Sequence, residues 1–78
     1  MKLVILTPEK ELLALEGVTL VELPGMMGRF VVLPGHAPLI TALVQGVVRY
    51  ESCNGNDCLQ IKGGFAQVKD DLIKVCAD

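Results

Sequence analysis

Between Pro24 and Leu43 the chain reads P-G-M-M-G-R-F-V-V-L-P-G-H-A-P-L-I-T-A-L, and four residues there, Gly25, Gly28, Pro34 and Gly35, decide where the backbone turns. Glycine reaches positive φ at little steric cost, and proline locks φ near about −65°. The apolar run Phe30-Val31-Val32-Leu33 lies between them and reads as a short buried strand held between two chain reversals. Pro34-Gly35 suits the two central positions of a type II turn, where proline presets the first and glycine supplies the second. Pro38 biases Ala37 away from the helical region. His36 is left with little backbone freedom, facing outward from the turn.

The remainder is punctuated in the same way. Lys2 to Thr7 reads as a short apolar strand, and Val18 to Leu23 as a β-rich run ended by Pro24-Gly25. Leu39 to Leu43 reads as a helical turn leaving Pro38 or as an irregular return. Gly46 opens a strand in which Val48 and Tyr50 share one face and Arg49 and Glu51 the other. Asn54-Gly55-Asn56-Asp57 reads as a four-residue hairpin loop, after which Leu59 and Ile61 face one side and Gln60 and Lys62 the other. Gly63-Gly64 lets the strand bend from one sheet to another. Phe65–Lys69 and Leu72–Cys76 then form a hairpin over Asp70-Asp71. Only Thr7 to Glu16 pulls against this pattern. Threonine before proline, followed by glutamates and E-L-L-A-L-E, is a helix-start signal, but Gly17 cuts the segment short and helices of that size are marginal. The expectation for residues 1–78 is a single all-β domain, a flattened β-sandwich or barrel of about 8–10 short strands.

Seventy-eight residues bury a small core. No apolar run approaches the roughly 20 residues of a membrane span, and Lys2 is followed by only four apolar residues, too few for a signal peptide. A soluble chain that stays in the compartment where it is made is expected. A formal charge of −2 with scattered Lys and Arg argues against nucleic acid, which needs a basic stripe. Two phenylalanines, one tyrosine and no tryptophan give no base-stacking platform. The 51% hydrophobic content suggests that a partner covers part of the surface.

Candidate chemistry is sparse. An enzyme needs an activated group and its partner. The single histidine, His36, has no Asp or Glu within six residues on either side, so it reads as a turn residue that packs or hydrogen-bonds at an interface. Three cysteines are an odd count: Cys53 and Cys58 could face each other across their loop, but free thiols in a reducing compartment are expected. Zinc would have to use Cys53, Cys58, Cys76 and His36, whose spacing matches no common site. Gly63-Gly64 lacks the Lys-Ser/Thr and helix of a phosphate loop. No catalytic group, cofactor or metal is expected. Lys69 beside Asp70-Asp71 raises a second reading, a carrier domain of the lipoyl or biotinyl type modified at Lys69. The usual flanking residues of such lysines are missing.

V-L-P-G-H-A-P-L-I-T-A-L, preceded by G-x-x-G-x-F and followed by Gly46-Val47-Val48-Arg49, resembles the epsilon subunit of the rotary F-type ATP synthase. The opening M-K-L-V-I-L-T-P-E-K-E-L and the later Ile61-Lys62-Gly63-Gly64-Phe65-Ala66-Gln67-Val68 fit the same pattern in order. The resemblance places a turn at Pro8 to Lys10 and a strand from Glu11 onward. It implies the N-terminal β-sandwich domain alone, without the helical hairpin that usually follows, inhibits ATP hydrolysis and in some members binds ATP. It further implies a non-catalytic rotor subunit of the central stalk that binds the gamma subunit and the ring of c subunits. Such a subunit sits peripherally on the cytoplasmic side of a bacterial inner membrane. By the same resemblance, Met26, Met27, Gly28, Arg29, Pro34, Gly35 and His36 face the c-ring, with Gly25, Pro38, Gly63 and Gly64 as structural turns. The family often has acidic or small polar residues where Met26, Met27 and Arg29 stand here. The loop is therefore expected to dock by packing, with an acidic group of a partner reaching Arg29.

Overall fold

The computed structural model describes residues Met1–Asp78 and contains strands and turns with no helix. Nine strands follow in order: β1 (Lys2–Leu6), β2 (Glu11–Leu15), β3 (Val18–Gly25), β4 (Gly28–Val32), β5 (Leu39–Leu43), β6 (Gly46–Ser52), β7 (Gly55–Ile61), β8 (Gly64–Lys69) and β9 (Leu72–Ala77). They form one sheet in the order β2-β1-β9-β8-β5-β3-β6-β7, with β4 on the other side of β3. All pairings are antiparallel except β1 with β9, which runs parallel. The arms β2-β1-β9-β8-β5 and β4-β3-β6-β7 join at one register pair, Gly25↔Leu43. There the sheet curls over, so both arms present their inner faces to one core.

That core follows from period-two alternation. Leu3 and Ile5 of β1, Ala66 and Val68 of β8, and Ile73, Val75 and Ala77 of β9 line one arm. Val18, Val21, Leu23, Val32, Val48, Tyr50 and Ile61 line the other, and all belong to one cluster with no buried polar or charged residue. Each fully buried Leu, Ile or Val contributes about 1.5–3 kcal/mol relative to exposure.

Thr7 to Lys10 settles the one conflict in the sequence. Thr7 Oγ1 donates to the Lys10 carbonyl and accepts from the Lys10 amide, closing a turn instead of capping a helix. β2 then pairs back on β1, and Leu13 and Leu15 pack against the core. Gly63-Gly64 carries the chain from β7 in one arm to β8 in the other, with φ of 146° and 131°. A Cβ on Gly64 would fall on the Cys76 carbonyl oxygen, so this crossing admits no other residue.

Three expectations are corrected. Leu39–Leu43 is a full strand, β5, paired antiparallel with β8 from Leu39↔Val68 to Leu43↔Gly64. Its I-T-A alternation is weak, and its pairing partner lies far along the sequence. The loop between β6 and β7 is tighter than four residues. Ser52 pairs with Gly55, so Cys53-Asn54 forms the turn, while Cys58 lies up the strand opposite Arg49 and does not face Cys53. Finally, Phe30–Leu33 is not a buried strand. β4 has β3 as its only neighbour, so one face meets the core through Phe30 and Val32 while Val31 and Leu33 are exposed.

Candidate docking site

The β3–β4 hairpin closes on Gly25↔Gly28, which leaves Met26-Met27 as its two-residue tip. Gly28 takes the positive φ, +122°, and spares both methionines that conformation. Gly25 is fixed by crowding: a Cβ there would lie 2.7 Å from the Gly28 carbonyl oxygen and 2.9 Å from the Phe30 ring. The base is tied to β5 by Met26 N–H donating to the Ala42 carbonyl (3.0 Å) and Val44 N–H donating to the Pro24 carbonyl (2.9 Å). A rigid base therefore carries an exposed apolar tip, with Met26 63% and Met27 97% exposed. Methionine thioethers are polarizable and adapt to irregular partner surfaces.

Behind the tip, Arg29 lies on the outer face. Its Nη2 donates to the Val47 carbonyl (2.8 Å) and its Nε lies 3.5 Å from the Glu22 carboxylate. Glu22 also accepts from Arg49 Nε (3.1 Å), and Arg49 Nη1 donates to Glu51 (2.6 Å). Two carboxylates and two guanidiniums cancel across β4, β3 and β6. The hydrogen bond from Arg49, then that from Arg29, holds the Glu22 carboxyl below its ordinary value of 4.5. The hydrogen bonds to Glu51, then to Glu22, raise the Arg49 guanidinium above its ordinary value. Arg29 thus has an acidic neighbour within its own chain. Hairpin register explains the contact: Pro24↔Arg29 places Glu22 on the diagonal from Arg29.

The second reversal behaves as its sequence dictates. His36 N–H donates to the Leu33 carbonyl (3.1 Å) across Pro34-Gly35, and Gly35 has φ +82°, the geometry of a type II turn. His36 is exposed, and its Nδ1 meets the Ala37 carbonyl at 2.7 Å, which requires the Nδ1-protonated tautomer. The two reversals flank β4, a five-residue strand about 15 Å long at the rise of an extended strand. Met26, Met27, Gly28 and Arg29 stand together, and Pro34, Gly35 and His36 stand apart from them with Pro38.

The remaining candidates stay separate. Lys69 is the last residue of β8, paired with Leu72, and the tip beyond it is Asp70-Asp71. Cys53 and Cys58 are exposed, and Cys76 is half-buried on the outer face of β9. No three His, Cys, Asp or Glu side chains converge in a way that could hold a metal ion. No helix is long and apolar enough to cross a membrane.

The structure is a curled all-β domain with one tight reversal at each end of β4. The sequence matches the family described as ATP synthase, Delta/Epsilon chain, beta-sandwich domain over residues 1–78, and the chain belongs to that family. Its curated relatives include the ATP synthase epsilon chain of Syntrophobacter fumaroxidans, 42% identical over 76 residues, covering 97% of this chain and 56% of the relative. The ATP synthase epsilon chain of Solibacter usitatus is 40% identical over 78 residues, covering 100% of this chain and 58% of the relative. The chain thus spans a little over half the length of these relatives. Among solved structures, a chain of the Euglena gracilis mitochondrial ATP synthase OSCP/F1/c-ring assembly superimposes with a TM-score of 0.88 at 27% identity, covering 96% of this chain and 48% of that one. A chain of the Tetrahymena thermophila mitochondrial ATP synthase central stalk/c-ring shares the fold, with a TM-score of 0.81 at 19% identity over 99% of this chain and 62% of that one. This membership displaces the carrier reading of Lys69.

Proposed function

We propose that the chain is a non-catalytic rotor subunit of the central stalk of a proton-translocating ATP synthase, binding the gamma subunit and the c-ring and coupling proton flow to ATP synthesis. It works on the cytoplasmic side of a bacterial inner membrane, held there through the complex. The observation that carries this reading is the family match over the whole chain. The geometry gives it form. Torque transmission asks for a rigid body with separate contact points, and β4 carries one at each end. The methionine tip, with Gly28 and Arg29 at its base, meets the c-ring by packing, because Arg29 is already neutralised by Glu22. The Pro34–His36 turn, at the other end of β4, is the second c-ring contact.

The test places a photo-crosslinking residue at position 27 or 36 of the chain, assembled with the gamma subunit and c-ring of its own genome. Positions 27 and 36 should both label the c subunit. Failure to co-purify with either would overturn the function, whereas assembly without these crosslinks would move the contacts elsewhere.

A further inference from the structure

Pro24 lies within β3, with a strand on either side of it, where a proline costs a ladder hydrogen bond. Successive residues of an antiparallel strand turn their backbone groups to alternate neighbours. The Pro24 carbonyl accepts from Val44, away from β4, so Pro24 and Glu22 both face the side where β6 runs. The β3–β6 pairing includes Glu22↔Arg49, and the same register continued by two residues sets Pro24 against Val47. An ordinary residue at position 24 would donate its N–H to the Val47 carbonyl. Proline has no N–H to give, and the β3–β6 ladder stops at Glu22↔Arg49.

Arg29 supplies the missing donor. It is the hairpin partner of Pro24 on β4, and its Nη2 reaches over β3 to donate to the Val47 carbonyl at 2.8 Å. Gly46 leaves room for the crossing, since a Cβ there would lie 2.9 Å from the Pro24 Cβ and 3.8 Å from Arg29 Nη1. Arg29 Nε meanwhile lies 3.5 Å from the Glu22 carboxylate. A planar guanidinium can serve the carbonyl and the carboxylate at once, which a single ammonium on a shorter reach cannot.

We propose that Arg29 is the positioning residue of the methionine tip, its guanidinium standing in for the N–H that Pro24 lacks and strapping β4 across β3 to β6. Met26 and Met27 lie between the two strapped residues, Pro24 and Arg29. Apart from the strap, the tip is seated on the body by two hydrogen bonds to the β5 region, Met26 N–H to Ala42 and Val44 N–H to Pro24. Arg29 thereby acts on the c-ring contact through the methionines it holds in place. That role rests on the proposed function, whereas the strap is a property of the chain alone.

Amide hydrogen exchange on the chain, and its binding to the c-ring of its own genome, test this in Arg29 and Pro24 variants. Arg29→Met should speed exchange at Met26 and Val44 about tenfold by local opening and leave Val75, in the core of the other arm, unchanged. Faster exchange at Val75 as well would mean a general loss of stability and overturn the positioning role. Arg29→Lys keeps the charge opposite Glu22 without the second donor and should match Arg29→Met; recovery by lysine would overturn the strap in favour of the ion pair. Pro24→Ala restores the N–H, and in that background Arg29→Met should alter exchange at the two amides less than about twofold. Equal sensitivity in both backgrounds would overturn the replacement. Ring binding should fall about tenfold in Arg29→Met and recover in the double variant. Unchanged ring binding beside faster exchange would overturn the positioning role and leave the strap standing. Absence of ring binding by the unaltered chain would overturn the proposed function, with the exchange results still deciding the strap. If Pro24→Ala does not fold, judged by circular dichroism, a nuclear magnetic resonance coupling between Arg29 Nη2 and the Val47 carbonyl carbon decides, and its absence overturns the strap.

Discussion

At Gly25 the space a side chain would need is already occupied by the Gly28 carbonyl and the Phe30 ring. Gly25→Ala should therefore lower stability by about 1–3 kcal/mol, as overpacking does, with urea denaturation as the measurement. Gly25 was legible as a turn residue, whereas the ring that crowds it was not, because that contact needs the hairpin register. Glu22 teaches the same lesson. Alternation gives its face, but its two arginines come from β4 and β6, which only pairing brings together. A carboxyl with a lowered folded pKa contributes stability that is fully present above its ordinary value of 4.5 and is lost as pH falls through the lowered folded value. Glu22→Gln should flatten that acid limb of the stability profile. An unchanged limb in thermal melts would show that the cluster is too well solvated to matter.

At the scale of the element, turns were read best where their chemistry is local. Asp70-Asp71 forms the two-residue turn between Lys69 and Leu72, with φ of 53° and 62° at the two aspartates, as a type I′ turn requires. Aspartate tolerates this region, but glycine does so at lower cost. Asp71→Gly should raise stability by roughly 0.5–1 kcal/mol, less whatever is lost with the exposed contact of Asp71 to the Met1 amine at 3.7 Å. A lower melting temperature would show that the amine contact outweighs the turn. Pro34-Gly35 and Gly63-Gly64 were legible for the same local reason. β5 was not, because Ile40, Thr41 and Ala42 carry little pattern of their own and become a strand only against β8. The outward exposure of Val31 was also hidden. An apolar run of four residues looks buried until its position at a sheet edge is known.

For the whole molecule, the order of the strands could not be read from spacing, though the strand count and class could. Both arms meet in one core, and Tyr50 sits in it as the only tyrosine, with no tryptophan in the chain. Burial, followed by the nearby Asp57 and Cys58, raises its hydroxyl pKa above the ordinary 10.0. A raised folded pKa means stability that is complete below 10.0 and lost as pH climbs through the folded value. Alkaline titration followed by tyrosinate absorbance should show ionisation delayed relative to the urea-unfolded chain, with unfolding accompanying it. Coincident titrations in folded and unfolded chains would place the ring in solvent. The parallel ladder from Lys2↔Leu72 to Leu6↔Cys76 joins the first strand to the last. A ribosome delivers β1 well before β9, so until β9 emerges the inner face of Leu3 and Ile5 lacks the partner strand that covers one flank. Such long-range closure is slow compared with local hairpins. The nascent domain must therefore wait, sticky and incomplete, until β9 clears the exit tunnel.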